Sequence, residues 1–405
     1  MSITPSSRFS ARLLAIATPA DAGRELNRVR VDAAGIARMA SRMFTRCVHL
    51  SELRCHQAKI LKREMLLLGG EAAMASSTVA DGIDGINLIL IGTDEQLQQL
   101  CSKLMQQSFE LPALAAELEV LLANASVSPK SWKTARRELA LTRPLIMGIL
   151  NVTPNSFSDG NRFFDPGHAI DRALEMVEQG ADIIDIGGES TRPGAEPVET
   201  AEELRRVIPV LKELDGKIAC AISIDTWKSR VAREALAAGA EIINDISGFT
   251  FDGEMAALAA STGAGAVLMH TRGTPDVMHK DTRYDDLLGE ITNGLKSSVQ
   301  LAETAGVERS RLAVDPGIGF AKDAAANLEV LRRLREFQCL GLPILSGTSR
   351  KSFIGTTLGR DTGDRSYGTA ATVALAIANG AAILRVHDVR EMKDVADMTH
   401  AILNG

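Results

Sequence analysis

Residues able to do chemistry stand at the ends of eight short apolar runs in this chain. Asn151 closes "IMGILN", Glu189 and Ser190 follow "ADIIDIGG", and Asp225 closes "CAISID". Asn244 and Asp245 end "EIIND", His270 ends "GAVLMH", Asp315 ends "RLAVD", Ser346 ends "LPILS", and Arg385 and His387 end "AAILRVH". Any one of them suits a turn or a helix cap. A succession of eight, with carboxylates at several ends and an Arg-x-His pair at the last, points instead to one polar pocket. Side chains alternate along a strand, so Arg385 and His387 share a face while Val386 turns the other way.

Stretches such as "HAIDRALEMVEQG" and "KSRVAREALAAG" separate these runs and carry helical periodicity. Apolar strands joined by helical crossovers predict a parallel sheet covered on both faces. Eight such units in roughly 260 residues fit a (β/α)8 barrel, with an open doubly wound sheet as the competing topology. In a barrel the strand C-termini gather on one face, where the βα loops build the active site. The polar segment "NVTPNSFSDG" after the first strand then reads as an active-site edge.

The chain has 405 residues, 45% of them apolar and 24% charged, which fits one large domain plus a smaller one. Its net charge of −6 argues against general nucleic-acid binding, which needs a basic surface. Five scattered cysteines without a C-x-x-C pair suit a reducing compartment. The start "MSITPSSRFSARLLAIA" lacks a signal-like apolar core, and no run reaches the ~20 residues that span a bilayer. A cytoplasmic protein with no membrane partner is expected.

Residues 1–125 read as a small α/β domain, 126–142 as a polar linker, and 143–405 as the barrel. In the first part "RLLAIA" and "INLILIG" predict strands, while "CHQAKILKREMLLLGGEAAMA" and "DEQLQQLCSKLMQQ" predict helices. Cys47, His49, Cys55 and His56 cluster there, but their spacing matches no zinc pattern, and buried cysteines acting as small hydrophobes are the simpler reading.

The loops carry a more specific signal. "IMGILNVTPNSFSDG", "GADIIDIGGESTRPGA", "SIDT", "INDISG", "VLMHTRGTP", "DPGIGFAK", "SRKSFIG" and "LRVHDV" occur in that order. From residue 143 to about 402 the chain resembles dihydropteroate synthase, a TIM-barrel family that binds pterins. The first 125 residues resemble no family. The resemblance implies condensation of 6-hydroxymethyl-7,8-dihydropterin pyrophosphate with p-aminobenzoate, giving 7,8-dihydropteroate and pyrophosphate in folate biosynthesis. It implies Mg2+ as cofactor, passage through a pterin cation, a homodimer, and a sulfonamide target.

Matched to the family's motifs, Asp225, Asn244, Asp315 and Lys351 form the pterin-binding set, flanked by Met269 and Phe320. Carboxylates and an amide can answer the paired donors and acceptors of an aminopyrimidinone edge. Arg385, His387 and Asn151 match the pyrophosphate site, with Asn151 also the metal-linked position. A leaving anion needs positive charge and donors, and magnesium takes few protein ligands. Thr191, Arg192, Pro193, Ser349 and Phe320 match the aminobenzoate pocket. Asp159, Lys351 and Arg192 are the groups implied at the reacting centre.

Asn155, Asn161, Ala321 and Trp227 depart from the family's pattern, without removing any of these groups. Two alternatives are a pterin-dependent methyltransferase using methyltetrahydrofolate and a non-catalytic pterin-binding protein. The former has no need of "ESTRPGA", "SRK" and "RVH" together, and the latter predicts the loss of anion-binding or loop residues that are all present here.

Overall fold

The computed structural model describes residues 11–16, 18–75, 85–153, 166–190, 197–278 and 280–404. The chain divides into two compact units, Met1–Ala123 and Asn124–Gly405.

In the first unit, strands β1 (Arg46–Leu53), β2 (Glu71–Met74) and β3 (Ile86–Gly92) form an antiparallel sheet in the order β1-β3-β2. Ile86, Leu88 and Leu90 alternate inward along β3 and meet Leu61 and Met65 of the helix Cys55–Leu67 and Leu97 and Leu100 of the helix Asp94–Leu104. The second helix starts at a capping box: Gln96 N donates to Thr93 Oγ1 and Thr93 N to Gln96 Oε1. Three sequence expectations change here. Residues 12–16 of "RLLAIA" are not a strand, "EAAM" is a strand and not the end of a helix, and "RCVHLSEL" is an additional strand. Cys55 is buried as expected of a small hydrophobe, but Cys47 is exposed.

The second unit opens with a hairpin where a linker was expected. Its strands are β4 (Ser131–Lys133) and β5 (Glu138–Ala140). Eight parallel strands follow: β6 (Leu145–Asn151), β7 (Ile183–Gly187), β8 (Ala221–Asp225), β9 (Ile242–Asp245), β10 (Gly265–Met269), β11 (Leu312–Asp315), β12 (Ile344–Ser346) and β13 (Ala381–Val386). They close into a barrel, β13 pairing with β6. All eight predicted strands are present, and closure settles the choice against the open sheet.

Two apolar layers result from strict alternation. Ile184, Ile222, Ile243, Leu268 and Leu384 face outward into the large core shared with the helices. Leu145, Met147, Ile183, Ala221, Ile242, Val267, Ala313, Leu345 and Ile383 fill the barrel interior together with Trp132 of the hairpin. Trp132 is fully buried, and its indole N–H donates to the carbonyl of Arg311 at 2.8 Å. Thr134 Oγ1 donates to the buried Glu241 carboxylate at 2.6 Å, and Arg137 pairs with the same group. The hairpin is thus a floor that seals the N-terminal end of the barrel, which the polar look of "SVSPKSWKTARREL" concealed. No helix among the described residues is long and apolar enough to cross a membrane.

Because Trp132 joins the barrel core to the hairpin, Trp132→Ala is expected to lose about 3–5 kcal/mol of stability. Urea unfolding checks this, and a loss below about 1 kcal/mol would show that the floor is not part of the cooperative core.

Candidate active site

The site lies one step of strand alternation above the aliphatic layer. Two residues beyond Ile183, Ala221, Ile242, Val267, Ala313 and Ile383 stand Asp185, Ser223, Asn244, Met269, Asp315 and Arg385. Two further on are Asp225 on β8 and His387 after β13. Period two converts the dry interior into a polar one without a break in the strands.

Arg385 is at the centre. Its Nε donates to Asp185 Oδ2 and its Nη2 to Asp225 Oδ2, both at 2.6 Å. Asn244 Nδ2 donates to the same Asp185 oxygen at 3.0 Å. Burial drives the Asp225 carboxyl up to about 7, against the pull of Arg385. Burial also raises Asp315, opposed by Lys351 and by the hydrogen bond from Gly317 N to its Oδ1 at 2.7 Å. Gly317 is obligatory there: its φ is +70°, and an added Cβ would sit 2.0 Å from the His270 carbonyl.

Lys351 donates to the Ile318 carbonyl and lies 4.5 Å from the centre of the Phe320 ring. Burial lowers its ammonium to about 8, although Asp315 works the other way. Ser349 Oγ is 3.0 Å from His387 Nδ1 and accepts the His387 backbone N–H at 3.2 Å. The structure therefore brings Ser349, matched to the aminobenzoate pocket, against a residue matched to pyrophosphate. Met269 is buried beside Asp315 in register, and Asn151 ends β6 opposite Gly187. Asp159, Thr191, Arg192 and Pro193 lie outside the described residues, as do Asn155 and Asn161.

Three groups were not singled out from the sequence. Asp185, fully buried, is the sole charged residue inside "IIDIG", which was its only signal. Lys322, the last residue of "DPGIGFAK", donates to the carbonyls of Gly317 and Phe320 at 3.1 and 3.0 Å and lies 3.3 Å from His270 Nδ1. Burial lowers Lys322 to about 7, and burial with the nearby cations Lys322 and Arg272 lowers His270 to about 3. Lys228 binds Glu189 at 2.8 Å, Glu203 at 2.7 Å and the Val198 carbonyl at 2.5 Å, while Glu189 accepts Val198 N–H at 2.9 Å. Val198 is thereby tied through its N–H to Glu189 after β7 and through its carbonyl to Lys228 after β8.

Among the described residues no group of three or more His, Cys, Asp or Glu could hold a metal by itself. A neutral amide oxygen at Asn151 suits a hard cation that keeps most of its other ligands as water and phosphate. The residues present therefore fit magnesium arriving with a phosphate ligand better than a protein cage.

Comparison with known proteins agrees with this geometry. Residues 147–387 match the pterin binding enzyme family. The dihydropteroate synthase of Synechocystis sp. is 50% identical over 261 residues, covering 64% of this chain and 90% of its own. A probable bifunctional folylpolyglutamate synthase/dihydropteroate synthase of Haloferax volcanii is 40% identical over 382 residues. That match takes in 92% of this chain, and so most of its N-terminal unit, but the chain spans only 45% of that archaeal relative. The structure of Xanthomonas albilineans dihydropteroate synthase with 4-aminobenzoic acid superposes with a TM-score of 0.65 at 41% identity, covering 69% of this chain and all of that one. The chain belongs to the pterin-binding enzymes, and its barrel is that of a dihydropteroate synthase.

Proposed function

We propose that this chain joins 6-hydroxymethyl-7,8-dihydropterin pyrophosphate to p-aminobenzoate, with the strand ends dividing the two halves of the donor substrate between them. The observation that carries the reading is the Arg385 bridge, which sets a permanent cation against buried carboxylates and an amide. Asp225, Asn244 and Asp315 take the aminopyrimidinone edge of the pterin, with Lys351 beside them and Met269 and Phe320 against the ring faces. Groups buried this deeply are costly when unpaired, so a ligand with the wrong pattern of donors is rejected.

Arg385 and His387 receive the pyrophosphate. Nε and Nη2 of Arg385 are held by carboxylates, which leaves Nη1 to face an anion. The C–O bond of the donor breaks with its electron pair leaving on pyrophosphate. The amine of p-aminobenzoate then forms the C–N bond and loses a proton to released pyrophosphate or water. Magnesium, held in part by Asn151, supplies charge neutralisation to the leaving group when bound. Thr191, Arg192, Pro193 and Ser349 receive p-aminobenzoate, the position a sulfonamide would contest, and Asp159 stabilises the cationic centre.

The barrel is proposed to pair with a second copy of itself. The helices Ser366–Ala378 and Val389–Asn404 turn apolar side chains to solvent, with Tyr367 90%, Leu375 54%, Met398 64% and Ile402 69% exposed. The two helices pack side by side, so exposed apolar residues on both offer a surface that a second copy could cover. Sedimentation equilibrium is expected to give twice the chain mass, with Leu375→Glu combined with Met398→Glu reducing it to one. A monomeric wild type would exclude the pairing.

Incubation of both substrates with magnesium is expected to release pyrophosphate and form pteroate only when p-aminobenzoate is present. No pteroate under any condition would end the synthase reading. The Lys351 ammonium is lost as pH rises through about 8, so kcat/KM for the pterin pyrophosphate should fall above that pH. Lys351→Arg should move this limb to higher pH, because guanidinium stays charged; an unmoved limb would assign it to another group.

A further inference from the structure

Asp185 is fully buried in the middle of β7, two strands from β13 and two from β9 around the barrel. One of its oxygens, Oδ2, accepts both from Arg385 Nε at 2.6 Å and from Asn244 Nδ2 at 3.0 Å. The other, Oδ1, is buried and has no hydrogen-bond partner among the described residues. A carboxylate in this position touches one group of the pterin set and one of the pyrophosphate set.

We propose that Asp185 is a positioning residue that fixes the amide orientation of Asn244 and the aim of the Arg385 guanidinium from a single oxygen, so that pterin recognition and pyrophosphate binding depend on one buried anion. This rests on the synthase reading above and deepens it.

The geometry gives the reasons. An asparagine amide can present either end to a ligand, and the two ends read opposite patterns. Donation of Nδ2 to Asp185 settles the choice, leaving Asn244 Oδ1 and one remaining N–H for the pterin. Arg385 likewise has a fork whose direction is free unless two of its three nitrogens are held. Asp185 holds Nε, at the root of the fork, and Asp225 holds Nη2 at its tip, which aims Nη1. Asp225 bonds Nη2 and, among the described residues, duplicates neither the Nε contact nor the Asn244 contact of Asp185. A strand supports both contacts, so the positioning does not depend on a loop.

Asp185→Asn keeps the shape and removes the charge. With the wild type active in the same assay, the variant is expected to lose roughly tenfold or more in kcat/KM for the pterin pyrophosphate, the scale of a lost charged hydrogen bond. Product inhibition by pyrophosphate should weaken by a similar factor, because Arg385 is no longer aimed. The KM for p-aminobenzoate at saturating pterin pyrophosphate should stay within about twofold. Wild-type kinetic constants with only a lower unfolding temperature would overturn the proposal, as that is what a merely structural aspartate predicts. Tighter inhibition by pyrophosphate would also overturn it, since Asp185 would then be a competitor for Arg385 and not its guide. If Asp185→Asn does not fold, Asp185→Glu, which keeps the charge but shifts the oxygens by one methylene, is judged by the same criteria. An inactive wild type would instead count against the synthase reading.

Discussion

Arg385 carries a permanent charge into the mouth of the barrel, directly above a layer of aliphatic side chains, and the surrounding residues are chosen to make that tolerable. A buried charge without partners is strongly unfavourable, whereas one paired through good geometry can be held in place. Asp185 and Asp225 supply the pairing at 2.6 Å each. Burial pushes Asp225 up to about 7, and the nearby Arg385 pulls it the other way. Such a cluster fixes geometry more than it stabilises the fold, and removing one member leaves the others uncompensated. The hairpin floor and the aliphatic layer below keep water from entering the cluster from beneath, which preserves the strength of its interactions.

The two lysines beside the Asp315 loop are treated differently from the arginine. Lys322 and Lys351 are met mainly by backbone carbonyls, of Gly317 and Phe320 for one and of Ile318 for the other. Carbonyls orient an ammonium without neutralising it, so burial lowers both, to about 7 and about 8. Guanidinium does not titrate in this range and ammonium does. In the proposed reaction the permanent cation sits where the anion is released, and the titratable ones sit around the loop that carries Asp315 and Phe320.

Much of the barrel was legible because each strand is a predominantly apolar run with a polar residue at or just beyond its end, and the crossovers between them carry helical periodicity. The hairpin was not, since only Trp132 and Leu139 of its strands turn toward the barrel core and the remainder is polar or, at Ala140, small. "EAAM" is composed of good helix formers and becomes a strand through pairing with β3, a contact distant in sequence. The strand ends exposed Asp225, Asn244, Asp315 and Arg385, but Asp185 stands in mid-strand, where an apolar run conceals a single carboxylate. Lys322 was hidden for another reason: its partners are carbonyls, which have no signature in side-chain sequence.

Two strained residues, each directly before one of the two lysines, show how the loops are held. Ala321, after Phe320, has φ +49°, and Arg350, before Lys351, has φ +57°. Neither is glycine, so each left-handed conformation must be imposed by its surroundings. At Ala321 the carbonyl accepts from Tyr284 Oη at 3.0 Å, and Lys322 next to it is anchored at the Gly317 and Phe320 carbonyls. At Arg350 the backbone N–H donates to Thr369 Oγ1 at 3.2 Å, the carbonyl accepts from Arg365 at 2.9 Å, and the guanidinium pairs with Asp388. That last pair joins the loop after β12 to the residue following His387. The segment before Lys351 is therefore tied to the start of the helix Ser366–Ala378 and to the residue after His387. Ala321 holds with a methyl group the conformation that glycine would adopt without strain, which makes the hydrogen bonds of Tyr284 and Lys322 necessary to this loop and not incidental to it.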